Sequence, residues 1–553
     1  MLRSIAVPLA VVLAGCTTTN APAIPHSDAT RASTVPEASF RDILAGAYGG
    51  GGGGAVTIVT RDAGTLYLDA IDARGSDRPS LQPDTVLPIG SITKHFTATL
   101  VMLLVEDGVL DLDRPVGDYL PDYSGPARVA TLRQLLSHRA GMVNFPADFF
   151  SFPANLDRVW TTEQLLDLSD EQPLLHAPGT ARAYSNPGYF LVGAVIEEVT
   201  GQRWDELIET RIAAPLGLSS LAYRTERLGD LGIGGFDGNR RAVPDQRLAW
   251  AQAAGGLTTD IADLETFFRS LHEGDLLGEQ SMAALFGGDA RHEAIFPAET
   301  IRGRRVHAHG GGLPGFASAG FYDTQDGTYA AVMTNAPAEA PRRLVARRLL
   351  AAGMGEPYPT FTPVPWPPER LAAITGLYRS GDGEQRVIRM LGGTLVWEDE
   401  EGVAVPLGTA GDDVLYARGE RLDHGMARIS GTDVTLAFYE DGERPARSYR
   451  RIGDVPETVG VALPMALLDR YVGRYAGPVD LVIAVTREGD TLTLGIEGRN
   501  SAPLIALDET TFRVDGDPQR FRFVAEDGSA ASALLIDSAT DTFEATRMVE
   551  SRD

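Results

Sequence analysis

Hydrophobic positions along the chain follow two periods. Ala55 to Thr60 and Thr65 to Asp69 are β-branched or alternating runs, parted by Asp62-Ala63-Gly64, and that pattern predicts a hairpin. From Ser91 to Glu106 the apolar residues Ile92, Phe96, Leu100, Leu103 and Leu104 recur at helical spacing, so a helix is expected with Ser91 at its N-terminus. Helical patterns also run through Thr131 to Leu136, Asn186 to Thr200, Trp204 to Ile212 and Ile261 to Leu271, and strand patterns return at Gly315 to Tyr322 and Tyr329 to Thr334. Strands, a helical middle and strands again predict one mixed sheet covered by helices, an α+β domain over residues 37–355. The glycine run Gly49 to Gly54 reads as a flexible lead-in to an edge strand.

Pro357, Pro359, Pro363, Pro365, Pro367 and Pro368 then crowd a stiff linker, residues 356–368. Beyond it the sequence repeats itself at one offset of 97 residues. Gly376-Leu377-Tyr378 matches Gly473-Arg474-Tyr475, Gly392-Gly393-Thr394-Leu395 matches Gly489-Asp490-Thr491-Leu492, and Pro406-Leu407 matches Pro503-Leu504. Short alternating strands between Asp/Gly turns make each copy a small antiparallel β barrel or sandwich, residues 369–455 and 464–553.

Composition narrows the function classes. A formal net charge of -26 with no basic stripe excludes nucleic acid as a partner. One cysteine, Cys16, excludes a disulfide framework and a Cys-based zinc site. The nine histidines are scattered, and His307 and His309 share a strand face without an acidic third ligand, so no metal is expected. No cofactor is implied, since Gly49 to Gly54 lacks the Gly-Lys-Ser/Thr ending of a phosphate loop.

Cys16 has an informative setting. Met1-Leu2-Arg3, the apolar stretch Ile5 to Leu13 and Leu13-Ala14-Gly15-Cys16 resemble a bacterial lipoprotein signal over residues 1–16, with Cys16 lipidated. The alternative is an ordinary secretory signal in which Cys16 has no role. Thr17 to Pro36, rich in Thr, Ala, Ser and Pro, reads as a tether. The expected location is therefore a bacterial cell envelope, with a lipid anchor at Cys16 on the periplasmic face of a membrane.

Lys94 is the only lysine among 49 basic residues. Arginine stays protonated in proteins, whereas a buried lysine can lose its proton and act as a base. Ser91 and Lys94 form a Ser-x-x-Lys element, which places both side chains on one helix face with the hydroxyl at the positive end of the helix dipole. Tyr184-Ser185-Asn186 supplies a second set. A tyrosine beside a lysine ammonium ionises more readily and can act as base and acid, while the Asn186 amide can orient the lysine and a substrate carbonyl. The plainer reading of that stretch is a turn with an Asn-Pro break. His309-Gly310-Gly311-Gly312 permits close backbone approach, and the Gly312 N–H can pair with that of Ser91 as an oxyanion hole. His307 and His95 read as solvated rather than functional.

In this order and at these separations, the three elements resemble the serine β-lactamase and penicillin-binding protein superfamily. The resemblance is closest to its class C-like branch of D-aminopeptidases, D-Ala-D-Ala carboxypeptidases and esterases. It runs over about residues 38–355 and includes Leu135-Leu136-Ser137-His138-Arg139-Ala140-Gly141-Met142, Ala214-Pro215-Leu216-Gly217-Leu218 and Gly255-Gly256-Leu257. It implies that Ser91 is the acylated nucleophile, that Lys94 and Tyr184 share proton transfer, that Asn186 positions, and that the His309 strand flanks the substrate. One departure matters: His309 stands where β-lactamases carry the lysine of Lys-Thr-Gly, which weakens the hold on a substrate carboxylate. The resemblance also implies two eight-stranded barrels after an antiparallel, helix-flanked sheet. The expected function is a serine hydrolase acting on small peptides or amides, a D-aminopeptidase or D-amino-acid peptide hydrolase. An esterase or lactonase on the same site is the alternative, and a non-catalytic surface lipoprotein binding through its β domains is the alternative of another class.

Overall fold

The computed structural model describes residues 39–548 except 49–53, 72–79, 145–148, 150–152, 233, 237–241, 288–292, 338–341, 392, 401–403, 419–423, 431–434, 440–444, 457–460, 477–481, 497–500, 515–518, 526–527 and 538–541. The signal at 1–16 with Cys16, the tether at 17–36 and most of the glycine run lie outside the described residues.

Among the described residues nine strands precede the linker: β1 (Ala55–Arg61), β2 (Gly64–Ile71), β3 (Leu87–Pro88), β4 (Ala222–Tyr223), β5 (Leu257–Thr259), β6 (Glu299–Ile301), β7 (Arg304–Leu313), β8 (Phe316–Asp323) and β9 (Tyr329–Thr334). Six of them form one sheet in the order β2-β1-β9-β8-β7-β6, antiparallel throughout rather than mixed, and β3, β5 and β4 make a small second sheet. β1 lies between β2 and β9, so the strand after the glycine run is not the expected edge strand. Asp62 and Ala63, with φ of +49° and +59°, close the expected first hairpin in a left-handed turn whose twist suits the flanking strands.

Among the helices, α1 (Phe40–Tyr48) and α8 (Arg342–Gly353) cover one face of the sheet, with Ile43, Leu44, Val345 and Leu349 packed against Val59, Phe321 and Val332. The other face meets a helical layer that includes α2 (Thr93–Glu106), α3 (Leu132–Leu136), α4 (Asn186–Thr200), α5 (Trp204–Ile208), α6 (Gln252–Gly255) and α7 (Ile261–Glu273). Covered on both sides, β8 and β9 are buried at every residue. Helix α2 runs through the middle of the helical layer, which explains why apolar residues surround it rather than forming a stripe. Its Phe96 ring stacks on Phe267 of α7 at 3.7 Å, and truncating it to alanine is expected to cost about 3–5 kcal/mol.

The helical patterns are realised with two local differences. Thr131 caps α3 through a reciprocal bond pair with Gln134, as its position predicts. The pattern at 204–212 divides, however, into α5 and a wider π turn at Glu209–Ala213.

After the linker, eight strands between Gly376 and Gly453 close into one antiparallel barrel, and eight between Gly473 and Arg547 close into another. A short helix enters each one, Pro368–Ile374 and Met465–Tyr471. Tyr378 and Tyr475, which are 97 residues apart, are both fully buried and hydrogen-bond back to the entering helix. Tyr378 Oη donates to Ile374 O at 2.6 Å, and Tyr475 Oη donates to Tyr471 O at 2.8 Å. The proline-rich stretch lies along the first barrel, where Trp366 Nε1 donates to Gly411 O (2.8 Å) and Phe361 stacks on Tyr416.

Candidate active site

Ser91 does not begin α2, as the helical spacing predicts; it lies in a 3-10 turn, Gly90–Ile92, that feeds the helix. The tighter turn is a consequence of crowding by β7. Gly90 has φ +52°, and a Cβ there would lie 2.8 Å from Gly312 N. Ile89 is fixed on both sides, since its N–H donates to Leu257 O (3.1 Å) and its carbonyl accepts from Ser318 Oγ (2.7 Å). The turn thus joins the sheet to the helical layer and carries Ser91 at the seam.

Lys94 is completely buried. Its Nζ lies 3.2 Å from Ser91 Oγ and donates to Asn186 Oδ1 at 2.8 Å and to Ala254 O at 2.6 Å. Burial holds its pKa well below the usual lysine value. Asn186 Oδ1 and Ala254 O can only accept and take two N–H bonds; with burial favouring the neutral amine, the third position, facing Ser91 Oγ, is where its lone pair can take the hydroxyl proton. Tyr184 Oη donates to Ser91 Oγ at 2.6 Å. Desolvation raises the phenol pKa, with the Ser91 hydrogen bond opposing it. Both shifts run against a readily ionised tyrosine beside a lysine ammonium, since burial disfavours the charged form of each group.

Asn186 opens α4, with Pro187 in its first turn, so the Asn-Pro pair is a helix start rather than a simple break. Its backbone N–H donates to Asn144 Oδ1 at 3.1 Å, which anchors the start of the helix beside Lys94. Two supports lie in or beside the stretches 135–142 and 255–257, to whose residues the sequence assigns no role in the chemistry. Helix α6 lies against α2, where Ala253 O accepts from Thr97 Oγ1 (2.8 Å) and Ala254 O accepts from Lys94. Gln252, itself at φ +35°, ties the start of that helix down: its Oε1 accepts from Thr162 Oγ1 (3.0 Å) and its Nε2 donates to Trp160 O (3.2 Å). His138 is buried against Tyr184, and burial pushes its pKa down to about 2.

Strand β7 supplies the opposite wall. The two-residue loop Pro314-Gly315 makes Leu313 and Phe316 the first paired residues; alternation along the ladder then leaves the N–H of Gly312 and of Gly310 pointing out of the sheet edge. β6 covers this edge only at Arg304 to Val306. Gly312 N therefore faces the Gly90–Ser91 turn. Gly311 has no room for a side chain, since a Cβ would lie 1.9 Å from Ile89 O. A Cβ at Gly312 would instead meet the Arg342 guanidinium at 3.5 Å, and one at Gly310 would lie 3.3 Å from Ser318 O.

His309 is half-buried on this strand, and burial pushes its pKa down to about 3, so its imidazole is neutral. Its ring meets that of His95 edge-on at 4.9 Å. His95 and His307 are 1% and 7% exposed, which overturns the expectation that they are solvated. They lie in an aromatic layer behind the strand, where His95 stacks on Phe296 at 3.9 Å. His272 Nδ1 donates to Phe268 O (2.7 Å), so its Nε2 accepts the proton of His307 Nδ1 (2.8 Å). Strand alternation alone cannot reveal that both faces of β7 are covered.

The structure thus brings Ser91, Lys94, Tyr184 and Asn186 into one hydrogen-bonded set and places Gly312 across from it. Residues 40–354 match the family described as Beta-lactamase. The sequence is 28% identical to a D-aminopeptidase of Cereibacter sphaeroides over 374 residues, 65% of this chain and 67% of that protein. It is 31% identical to the esterase EstB of Burkholderia gladioli over 185 residues, 31% of this chain and 47% of the esterase. The fold is also that of an octameric penicillin-binding protein homologue from Pyrococcus abyssi, with a TM-score of 0.50 over 72% of this chain and 96% of the other at 21% identity.

Proposed function

The chain belongs to the Beta-lactamase family, and on that premise we propose that it is a serine hydrolase forming an acyl-enzyme at Ser91 on peptides and amides built from D-amino acids. The neutral Lys94 amine carries this reading. Ser91 Oγ attacks the substrate carbonyl while its proton passes to Lys94 Nζ, 3.2 Å away. The carbonyl oxygen gains negative charge as the bond forms, and the N–H groups of Ser91 and Gly312 receive it. Collapse breaks the C–N bond, and the proton returns to the leaving nitrogen through Lys94 and the Tyr184 phenol. Water then attacks the acyl-enzyme with the same pair as base and acid, releasing the carboxylic acid and restoring Ser91.

The D-amino-acid preference is supported by the similarity to the Cereibacter D-aminopeptidase over about two thirds of both chains. Turnover of matched D- and L-aminoacyl p-nitroanilides tests it, with the D series expected to be faster and to lose all turnover in Ser91→Ala. Equal rates on both series would remove the stereochemical part of the proposal.

A second reading, an esterase, is favoured by the similarity to EstB and by the neutral His309 where a cation would hold a carboxylate. Esters require less protonation of the leaving group than amides. A kcat/KM on short acyl esters several orders above that on D-aminoacyl amides would make it the better description.

The reading includes a location. Leu13-Ala14-Gly15-Cys16 after an apolar stretch supports a lipid anchor at Cys16 in a bacterial envelope, and the mass of the N-terminal peptide from the membrane fraction tests it.

A further inference from the structure

We propose that His138 is a positioning residue that sets the Tyr184 phenol against Ser91, an inference that rests on the acyl-enzyme reading above. The observation is a clamp on both neighbours of Tyr184. The N–H of Ala183 donates to His138 O at 2.9 Å, and the N–H of Ser185 donates to His138 Nδ1 at 3.3 Å. Between these two bonds the imidazole packs at a tilt against the Tyr184 ring, centroids 4.3 Å apart, and also meets Tyr189 at 5.4 Å. Tyr184 needs such support, because it is 41% exposed while its hydroxyl must stay within 2.6 Å of Ser91 Oγ.

The backbone adds a second argument. His138 follows the C-cap of α3 with φ +60°, a left-handed position that glycine or asparagine fills at least cost. Holding a histidine there costs about 1–2 kcal/mol, a strain that surrounding contacts must sustain. Those contacts run to the segment that ends at Tyr184. Leu175 N donates to Gly141 O (2.8 Å), Gly179 N to Arg139 O (2.8 Å) and Ala183 N to His138 O, so residues 138–141 carry the loop from 175 to 183 down to the site. His138 makes the last two bonds of that seam, one from its backbone and one from its ring. A misplacement of about 1 Å at such a point costs about a hundredfold in rate.

The ring acts as an acceptor at Nδ1, so two substitutions separate its parts. His138→Asn keeps a side-chain acceptor and tolerates the left-handed backbone, whereas His138→Phe keeps a ring and leaves the Ser185 N–H unpaired. The rate of fluorophosphonate labelling of Ser91, followed by intact mass, is read for each in the native background and in Tyr184→Phe. His138→Phe is expected to slow labelling about 10- to 100-fold and His138→Asn less than about fivefold. In the Tyr184→Phe background both effects shrink to within about twofold. An equal loss from His138→Phe in the two backgrounds, or equal losses from Phe and Asn, would overturn the proposal and leave His138 a packing residue. If either variant fails to fold, the other is read alone, with the same dependence on Tyr184 required. No labelling of the wild-type protein at Ser91 would instead mean that the acyl-enzyme reading had failed.

Discussion

Asn186 Oδ1 and Ala254 O take both N–H bonds of the Lys94 amine, and a third acceptor is absent from its described partners except for the Ser91 hydroxyl. That arrangement makes the protonation state of one residue the control on the reaction. Burial favours the neutral amine, so acylation is expected to be lost as pH falls through the Lys94 pKa, which lies well below the usual lysine value. Desolvation moves Tyr184 the opposite way, so no alkaline loss from its ionisation is expected up to the usual tyrosine pKa. The pH profile of kcat/KM on a D-aminoacyl p-nitroanilide checks both limbs, and an optimum that falls away well below pH 10 would contradict the assignment of Tyr184. At this scale the Ser91, Lys94, Tyr184 and Asn186 set is legible in the sequence, because each belongs to a motif with a side-chain chemistry. Ala254 is not, since what it contributes is a carbonyl oxygen that every residue possesses. The lowered Lys94 pKa and the raised Tyr184 pKa come from burial, which spacing does not encode.

Elements set the site through two close crossings. The Gly90–Ile92 turn and β7 pass so near each other that Gly311 faces Ile89 O directly. Gly311→Ala is therefore expected to push the strand off the turn, moving Gly312 N away from Ser91 and lowering acylation by about a hundredfold, while the far sheet edge at β2 is unaffected. Gly312→Ala meets only the Arg342 guanidinium at 3.5 Å and is expected to cost far less. Similar losses in the two variants would show that the crossing does not position the oxyanion site. The elements themselves follow the hydrophobic periods closely. The first hairpin, α2, α3, α4, β8 and β9 all lie where the patterns predict them, within a few residues at each end. The departures occur where a tertiary contact overrides local preference: the 3-10 turn at Ser91 under pressure from β7, and the π turn after α5.

Over the whole molecule, the helical layer and the sheet enclose histidines that the fold keeps neutral. His138 and His307 have pKa values pushed down by burial to about 2 and about 3, below the usual 6.5. As pH falls below 6.5 the unfolded chain takes up these protons first, so the stability is present above that value and is lost progressively towards 3. At pH 5 each site is expected to cost about 2 kcal/mol. A thermal melt of the catalytic domain should therefore shift down by roughly 5–10 °C between pH 7.5 and 5.0, with a smaller shift in His307→Asn. Equal shifts in the two proteins would remove His307 as a cause. The 97-residue sequence repeat anticipates the paired barrels and their buried tyrosines, whereas the lodging of the proline-rich stretch along the first barrel depends on Trp366 and Phe361, whose partners are distant in sequence.

The central claim, that Ser91 is acylated with the help of a deprotonated Lys94, is tested most directly by intact mass after incubation with a fluorophosphonate. Wild type is expected to gain one adduct on the tryptic peptide carrying Ser91, Ser91→Ala to gain none, and Lys94→Arg to label about a thousandfold more slowly because its guanidinium cannot accept the proton. Equal labelling of Ser91→Ala would place the nucleophile elsewhere, and fast labelling of Lys94→Arg would show that the residue serves only as a cation.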